Sequence, residues 1–371
     1  MKLLFLCHSL NIGGLETYIL RFSRWLTKTH PCYSMHLVCK SGIFGPYETD
    51  FRETGVELHS MPLGYINPLQ YFMFYRFLRY GRFDAVCDFG GDFGALPVAC
   101  ASVANVPQRL VFYRNARNSY NIARYKLLYQ YFLNRTVRIF STHILSNSQD
   151  AFDHYYRKTT VINDSRFHIV RNGVSVSPAL PYSEKSAIRQ TLGILPDQKI
   201  ALHVGSGRWE KNHRMMFALA RTAQDDNKNI CFVFAGADVE KTFGEDAKSS
   251  GLRNVRFLGE RRDVPNLLQI ADLFLFPSLS EGQPNALIEA INSGLPFIAS
   301  NIAPIKESLP RDWGDRWLFS PDNQEQGYSL LKEHLVNNLR NEQQFKGLVE
   351  WSIANYNEDK QFGKFLSCLT S

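Results

Sequence analysis

Short apolar runs bounded by Gly, Pro and Asn recur along this chain and alternate with stretches of helical periodicity, twice over. In the first half the runs are Lys2 to His8, Met35 to Cys39, Val56 to Met61, Asp84 to Phe89, Arg109 to Tyr113, His143 to Asn147 and His168 to Val170. In the second half they are Lys199 to Val204, Ile230 to Ala235, Val255 to Leu258, Leu273 to Pro277, Pro296 to Ala299 and Trp317 to Ser320. Runs this short, with no polar alternation, fit strands of a parallel sheet covered on both faces. Between the first two, Leu15, Tyr18, Ile19, Phe22, Trp25 and Leu26 repeat at helical spacing. The pattern implies two doubly wound α/β units, and 371 residues at 44% apolar content supply two cores. A polar, Pro-containing segment from Gly173 to Glu184 reads as the linker. The expected domains are 1–175 and 176–350, with 351–371 a C-terminal helix packing back on the first.

Several classes are excluded early. The seven cysteines are odd in number, scattered, and form no Cys-x-x-Cys pair, so neither a disulfide framework nor a zinc ribbon is expected. Residues Met1 to His8 carry one lysine and too short an apolar stretch for a signal peptide, and read as a buried strand. No run of eighteen apolar residues is present to span a bilayer.

Chemistry concentrates in the second half. Glu281 and Glu289 flank a Gly/Pro turn in Ser-Glu-Gly-Gln-Pro-Asn-Ala-Leu-Ile-Glu-Ala, which follows the strand Leu273 to Pro277 and opens into an amphipathic helix. A helix start presents unpaired N–H groups and partial positive charge, which suits a phosphate. Two carboxylates beside it are better placed to accept hydrogen bonds from hydroxyls, one from a sugar and one from a ribose. Upstream, Gly205-Ser206-Gly207-Arg208-Trp209-Glu210-Lys211-Asn212 again lies between an apolar strand and a helix. Small residues let backbone approach an anion, and Arg208 and Lys211 bring two cations. The segment is not a P-loop, because the glycine spacing and the Lys-Ser/Thr ending are absent. Units of this kind bind ligands at the carboxyl ends of their strands, where all these loops fall, so two facing units would make a deep cleft.

The run Gly207-Arg208-x-x-Lys211-Asn212, followed by Phe274-x-x-Pro277-Ser278-x-x-Glu281-Gly282-x-Pro284-Asn285-x-x-x-Glu289-Ala290, resembles the retaining GT-B glycosyltransferases of family 4. Gly13-Gly14-Leu15-Glu16 is similar to that family's N-terminal glycine loop, Arg171-Asn172-Gly173-Val174 to its interdomain Asn-Gly-Val, and Leu258 to Pro265 to its base-binding region. The resemblance implies two facing Rossmann-like domains, the GT-B fold, with a nucleotide-sugar donor mostly on the second. It assigns Arg208 and Lys211 to the departing diphosphate, Glu281 to sugar hydroxyls and Glu289 to the ribose. The backbone of Gly207 and of Gly282, Gln283, Pro284, Asn285 and Ala286 would contact phosphate and sugar. Arg262 and Val264 would meet the base, unless that loop is only a helix start capped by Asp263. Gly13 and Gly14 would bring backbone of the first domain near the diphosphate, while Glu16 is equally readable as a first-turn acid of its own helix. The implied reaction is sugar transfer with retention from a UDP-sugar, without a cofactor, to a hydroxyl of a glycan or polyprenyl-linked acceptor. No Asp-x-Asp triplet occurs, which fits metal independence. A nucleotide-sugar epimerase and a non-catalytic nucleotide-sugar-binding subunit are the rival readings.

The chain departs from the family at one point. Many relatives place Ser-His-Asn after the strand that starts Val-Pro-x-Arg; here Val106 to Tyr113 is followed by Arg114 and Asn115, with Arg114 in the histidine's place. An arginine is no base at neutral pH, so Arg114 and Asn115 are read as contacts to the sugar or the acceptor.

Charge is uneven. Residues 1–180 hold 20 Lys and Arg against 11 Asp and Glu, whereas the remainder holds 22 against 24. Within the basic half, Tyr71 to Arg82 is apolar almost all round a helix and interleaves aromatic rings with Arg76, Arg79 and Arg82. Either it lies on an anionic membrane surface, on the cytoplasmic face, or it is wedged between the sheet and a neighbour. The basic residues fall in no nucleic-acid-binding module, so nucleic acid is not an expected partner.

Overall fold

The computed structural model describes residues 1–64, 66–114, 124–311, 313–314, 316–336 and 342–371. The chain forms two compact units, one comprising Met1–Gly173 and Glu358–Ser371, the other Val174–Asn357.

The first unit is built on seven parallel strands: β1 (Lys2–Cys7), β2 (Ser34–Cys39), β3 (Glu57–Ser60), β4 (Ala85–Asp88), β5 (Gln108–Tyr113), β6 (His143–Ser146) and β7 (Phe167–Ile169). Their order is β3-β2-β1-β4-β5-β6-β7, so the winding reverses between β1 and β4. Leu3, Leu4, Phe5 and Leu6 are all fully buried, which is why β1 reads as an unbroken apolar run. Phe5 packs on one face against Tyr18, Ile19 and Phe22 of the helix Gly14–Thr29 and against Phe362 and Phe365 of the C-terminal helix Glu358–Thr370. Leu4 and Leu6 pack on the other against Phe74 and Leu78 of the helix Pro68–Gly81. Arg21 Nε donates to Glu358 Oε1 and Trp25 Nε1 to Asp359 Oδ1, both at 2.7 Å, fixing the returning helix.

The crossing points are sharply defined. A Cβ on Gly173 would lie 2.7 Å from Glu358 Cα, so only glycine fits where the chain leaves the first unit beside its point of return. Residues 174–184 belong to the second unit: Gln269 accepts from the Leu180 amide and donates to the Pro178 carbonyl. So do residues 351–357, because Trp351 and Tyr356 pack with Val174 and Ile288.

The second unit has six parallel strands, β8 (Lys199–Val204), β9 (Ile230–Ala235), β10 (Val255–Phe257), β11 (Leu273–Phe276), β12 (Phe297–Ser300) and β13 (Leu318–Phe319), in the order β10-β9-β8-β11-β12-β13. Here the winding reverses between β8 and β11, which places the carboxyl ends of those two strands side by side at the switch point where such sheets bind ligands. All thirteen expected strands are present, and the fold class is the expected one. Among the described residues no helix is long and apolar enough to cross a membrane, and all seven cysteines are free.

Candidate active site

The loops after β8, β9 and β11 are laced together by backbone. Gly205 N–H donates to Ala235 O, Gly207 N–H to Ala237 O, and Leu279 N–H to Glu210 O at 2.7 Å. A Cβ on Gly236 would meet Gly205 O at 2.0 Å, and one on Gly207 would meet Asp238 O at 2.6 Å. Part of what looks like an anion-approach glycine pattern is therefore loop-on-loop packing. Asn212 adopts a left-handed conformation (φ 53°), and its Nδ2 donates to both Pro277 O and Pro321 O at 3.1 Å. That side chain, to which the sequence assigned no role, sets the short turn Trp209–Lys211 and the start of the helix His213–Asp225.

These constraints bring Lys211 and Glu281 together. Lys211 Nζ lies 2.7 Å from Glu281 Oε1 and 5.2 Å from the centre of the Phe276 ring. Arg208 is exposed on the same turn, and its side chain makes no hydrogen bond or ion pair among the described residues. Beneath the loop His203 and His213 are buried with ring centres 5.3 Å apart. Burial pushes His203 down to about 3 and His213 to about 4, so both are neutral at neutral pH and add no charge beside Lys211.

Glu281, Gly282 and Gln283 lead into the helix Asn285–Asn292, whose N-cap, Pro284, provides no side-chain cap. Gln283 and Pro284 are buried, whereas Asn285, Ala286 and Glu289 are half-buried, Glu289 one helical turn in. Arg262 is exposed on the loop after β10, and Val264 opens the helix Val264–Ile270. Asp263 does not cap that helix; Arg261 holds its carboxylate at 2.7 Å instead. β10 lies two strands, about 10 Å, from β8, so Arg262 and Val264 follow a different strand end from the Lys211 loop.

In the first unit, Gly13 is the extended N-cap of Gly14–Thr29. A Cβ there would lie 2.7 Å from Glu16 Oε2, so the carboxylate of Glu16 folds back over its own helix start, while Gly14 faces open space. Arg114 follows β5 with its guanidinium 4.2 Å from the Tyr18 ring centre and 5.2 Å from that of Phe112. Burial lowers it to about 10, which leaves it charged at neutral pH, and its Nη1 is buried without a hydrogen-bond partner among the described residues. Asn115 lies outside the described residues. Two features here were not among the expected site residues. Lys40 Nζ holds both carboxylate oxygens of fully buried Asp88 at 2.8 Å. Asp92, in the turn Gly91–Gly94, is buried and pushed up to about 6, chiefly by desolvation. Asp88-Phe89-Gly90-Gly91-Asp92 at the carboxyl end of β4 is a recognisable signal, an acid pair around a Gly-Gly turn.

Two family models match. The group 1 glycosyl transferase model covers residues 184–346 and the family 4 glycosyltransferase model covers residues 12–177. The chain belongs to this glycosyltransferase family. Relatives of this glycosyltransferase include the Escherichia coli UDP-Gal:α-D-GlcNAc-diphosphoundecaprenol α-1,3-galactosyltransferase, 26% identical over 73% of the chain and 72% of that protein. The putative glycosyltransferase EpsF of Bacillus subtilis is 28% identical over 81% and 79%. Among solved structures, Anabaena HepE in complex with UDP and glucose superposes with a TM-score of 0.82 over the whole of both chains at 16% identity. WaaG, a glycosyltransferase of lipopolysaccharide biosynthesis, superposes at 0.69 with 19% identity, again over both whole chains. The two Rossmann-like sheets are those of the GT-B fold.

Proposed function

We propose that this glycosyltransferase moves a sugar from UDP to a hydroxyl of a lipid-linked glycan, with retention of configuration, during assembly of a surface polysaccharide. The observation that carries the reading is the Lys211–Glu281 pair at the switch point of the second sheet. It supplies an ammonium for a diphosphate and, beside it, a carboxylate for sugar hydroxyls. The names of the relatives support the donor and acceptor classes: one acts on a diphosphoundecaprenol-linked sugar with UDP-Gal, and HepE binds UDP and glucose.

In this reading Lys211 and exposed Arg208 neutralise the diphosphate as the bond from the sugar's anomeric carbon to phosphate oxygen breaks, where fixed charge contributes most. The acceptor oxygen bonds to that carbon from the same face, its proton passes to the departing phosphate, and UDP leaves. No residue acts as a nucleophile. The helix start at Asn285 adds its dipole, and the two cations do the work of a metal ion. Gly207 and the backbone of Gly282 to Ala286 lie against phosphate and sugar, Glu289 accepts from the ribose, and Arg262 and Val264 meet the base. Arg114, whose Nη1 has no partner among the described residues, binds an anionic or hydroxyl group of the sugar or acceptor.

The acceptor would be met at a membrane. Supporting this, the helix Pro68–Gly81 buries only Phe74 and Leu78, while Leu69, Phe72, Met73 and Tyr80 are exposed beside Arg76, Arg79 and Arg82. Incubation with UDP-sugars and a polyprenyl-diphosphate-linked sugar tests the function: free UDP and an extended acceptor are expected. Isomerised sugar without UDP release would make the protein an epimerase, and saturable binding without turnover a binding subunit.

A further inference from the structure

His36, Glu57 and His59 have no part in the glycosyl-transfer site. They lie on β2 and β3, the pair at one edge of the first sheet, in a parallel register that sets His36 opposite Glu57 and Val38 opposite His59. Residues two apart on a strand face the same way, so Glu57 and His59 both project beside His36. His36 Nδ1 is 3.2 Å from Glu57 Oε2 and 3.1 Å from His59 Nε2, and all three donor atoms lie within 4.8 Å of one another. Metal–nitrogen and metal–oxygen bonds of about 2.0–2.2 Å in a tetrahedron place neighbouring ligand atoms about 3.3 Å apart. The two short separations are already close to that edge.

The surroundings orient the same atoms. His36 Nε2 is 3.1 Å from Ser34 Oγ, an outer hydrogen bond that leaves Nδ1 to face the cluster, as the second nitrogen of a metal-bound histidine commonly requires. Phe83 packs edge-on against the His36 ring at 5.2 Å and Phe77 against the His59 ring at 4.8 Å. His36 is buried, whereas Glu57 is 65% exposed and leaves an open side for a water. Lys2, on the next strand β1 opposite Ser34 and over the Phe83 ring, is a nearby cation that opposes binding; the Glu57 carboxylate offsets it.

We propose that His36 Nδ1, His59 Nε2 and the Glu57 carboxylate form a site for a divalent cation of the zinc class, completed by water, that ties the edge strand β3 to β2. Two imidazoles with one carboxylate suit zinc or cobalt, and not magnesium or calcium, which take oxygen ligands. The site is distinct from the donor loops of the second unit, and it does not depend on the proposed transfer reaction.

The test uses the full chain, stripped with EDTA and dialysed, then titrated with Co²⁺ or Zn²⁺ alone. The wild type is expected to bind one equivalent with the visible absorption of tetrahedral cobalt, and Zn²⁺ should raise its Tm by several degrees. His59→Gln and Glu57→Gln, at half-buried and exposed positions, should each weaken Co²⁺ at least tenfold while keeping the metal-free Tm of the wild type. His36 is left in place because its burial would confuse binding with folding. Equal Co²⁺ affinity in wild type and both variants, or no tetrahedral band in the wild type, overturns the proposal and leaves a His–His hydrogen bond beside an ion pair.

Discussion

Lys211 Nζ and Glu281 Oε1, seventy residues apart in sequence, lie 2.7 Å from each other with the lysine side chain about one-fifth and the glutamate one-tenth exposed. In the free protein each therefore neutralises the other in a partly desolvated place. In the proposed reaction an arriving diphosphate would compete with Glu281 for the ammonium, and a carboxylate relieved of its lysine would turn to the sugar hydroxyls. The pair would then couple the two halves of the donor, phosphate and sugar, through one contact.

Lys211→Ala is expected to lower turnover by roughly 10² to 10³, the usual loss for a removed transition-state donor. It also strands Glu281, and losing a charged hydrogen bond costs about 1.5–3 kcal/mol of stability. Adding Glu281→Gln should restore most of the Tm without restoring turnover. Near-normal kcat in Lys211→Ala would remove the ammonium from the chemistry.

How much of this site a sequence can show depends on how far apart its parts lie. The inner strands were readable because they are buried on both faces, as Leu3 to Leu6 illustrate, whereas the edge strands β3, β7 and β10 are only half-buried; the Lys211 and Glu281 loops were readable because each follows an inner strand. Contacts that need the strand order were not. Gly236 must be glycine because β9 pairs with β8 and carries it under the Gly205 carbonyl. Lys40 reaches Asp88 because β1 alone separates β2 from β4. Asn212 bonds to carbonyls 65 and 109 residues away. None of these pairings leaves a periodic trace in the chain.

EDTA should leave glycosyl transfer intact. In the proposed reaction Lys211 and Arg208 take the place of a metal at the diphosphate, and Arg208 is exposed on that turn. Chelation could remove a cation from the edge of the first sheet and lower the Tm, so turnover must be measured below the unfolding range. Loss of activity in chelator with recovery on adding magnesium or manganese would refute the substitution of protein cations for a metal.

Asp92 gives a pH dependence of known sign. Desolvation raises its folded value from 3.8 to about 6, so the native state holds the proton more tightly than the unfolded chain. Its cost is absent below pH 3.8, grows between 3.8 and 6, and is constant above. Asp92→Asn keeps an oxygen for the Phe93 amide, which Asp92 Oδ1 accepts at 3.1 Å, and removes the charge. It should stabilise the protein by up to about 3 kcal/mol at pH 8 and by almost nothing near pH 4. Urea melts of the two proteins at both pH values measure this; an equal difference at both would show that ionisation of Asp92 is not the cause.

The helix Pro68–Gly81 splits the two readings of its sequence by face. Phe74 and Leu78 are core, as a wedged helix requires, but Leu69 and Tyr80 are 67% and 76% exposed and Phe72 and Met73 each 57%. The helix Ala95–Val103 touches both this helix and Arg124–Phe140, which exposes Leu128, Tyr131, Phe132 and Ile139, so the apolar and basic flank extends beyond one helix. Each basic residue near an anionic leaflet contributes about 1 kcal/mol, so Arg76, Arg79 and Arg82 together supply about 3 kcal/mol, over a hundredfold in partitioning. Replacing all three with Ser should release the protein from anionic vesicles without changing UDP binding, since the proposed donor site includes none of them. High salt should weaken vesicle binding of the wild type in the same way, since exposed charges are screened beyond about 8 Å at physiological ionic strength. If the wild type fails to sediment with anionic vesicles at low salt, this flank does not bind a membrane and its exposed rings need another partner.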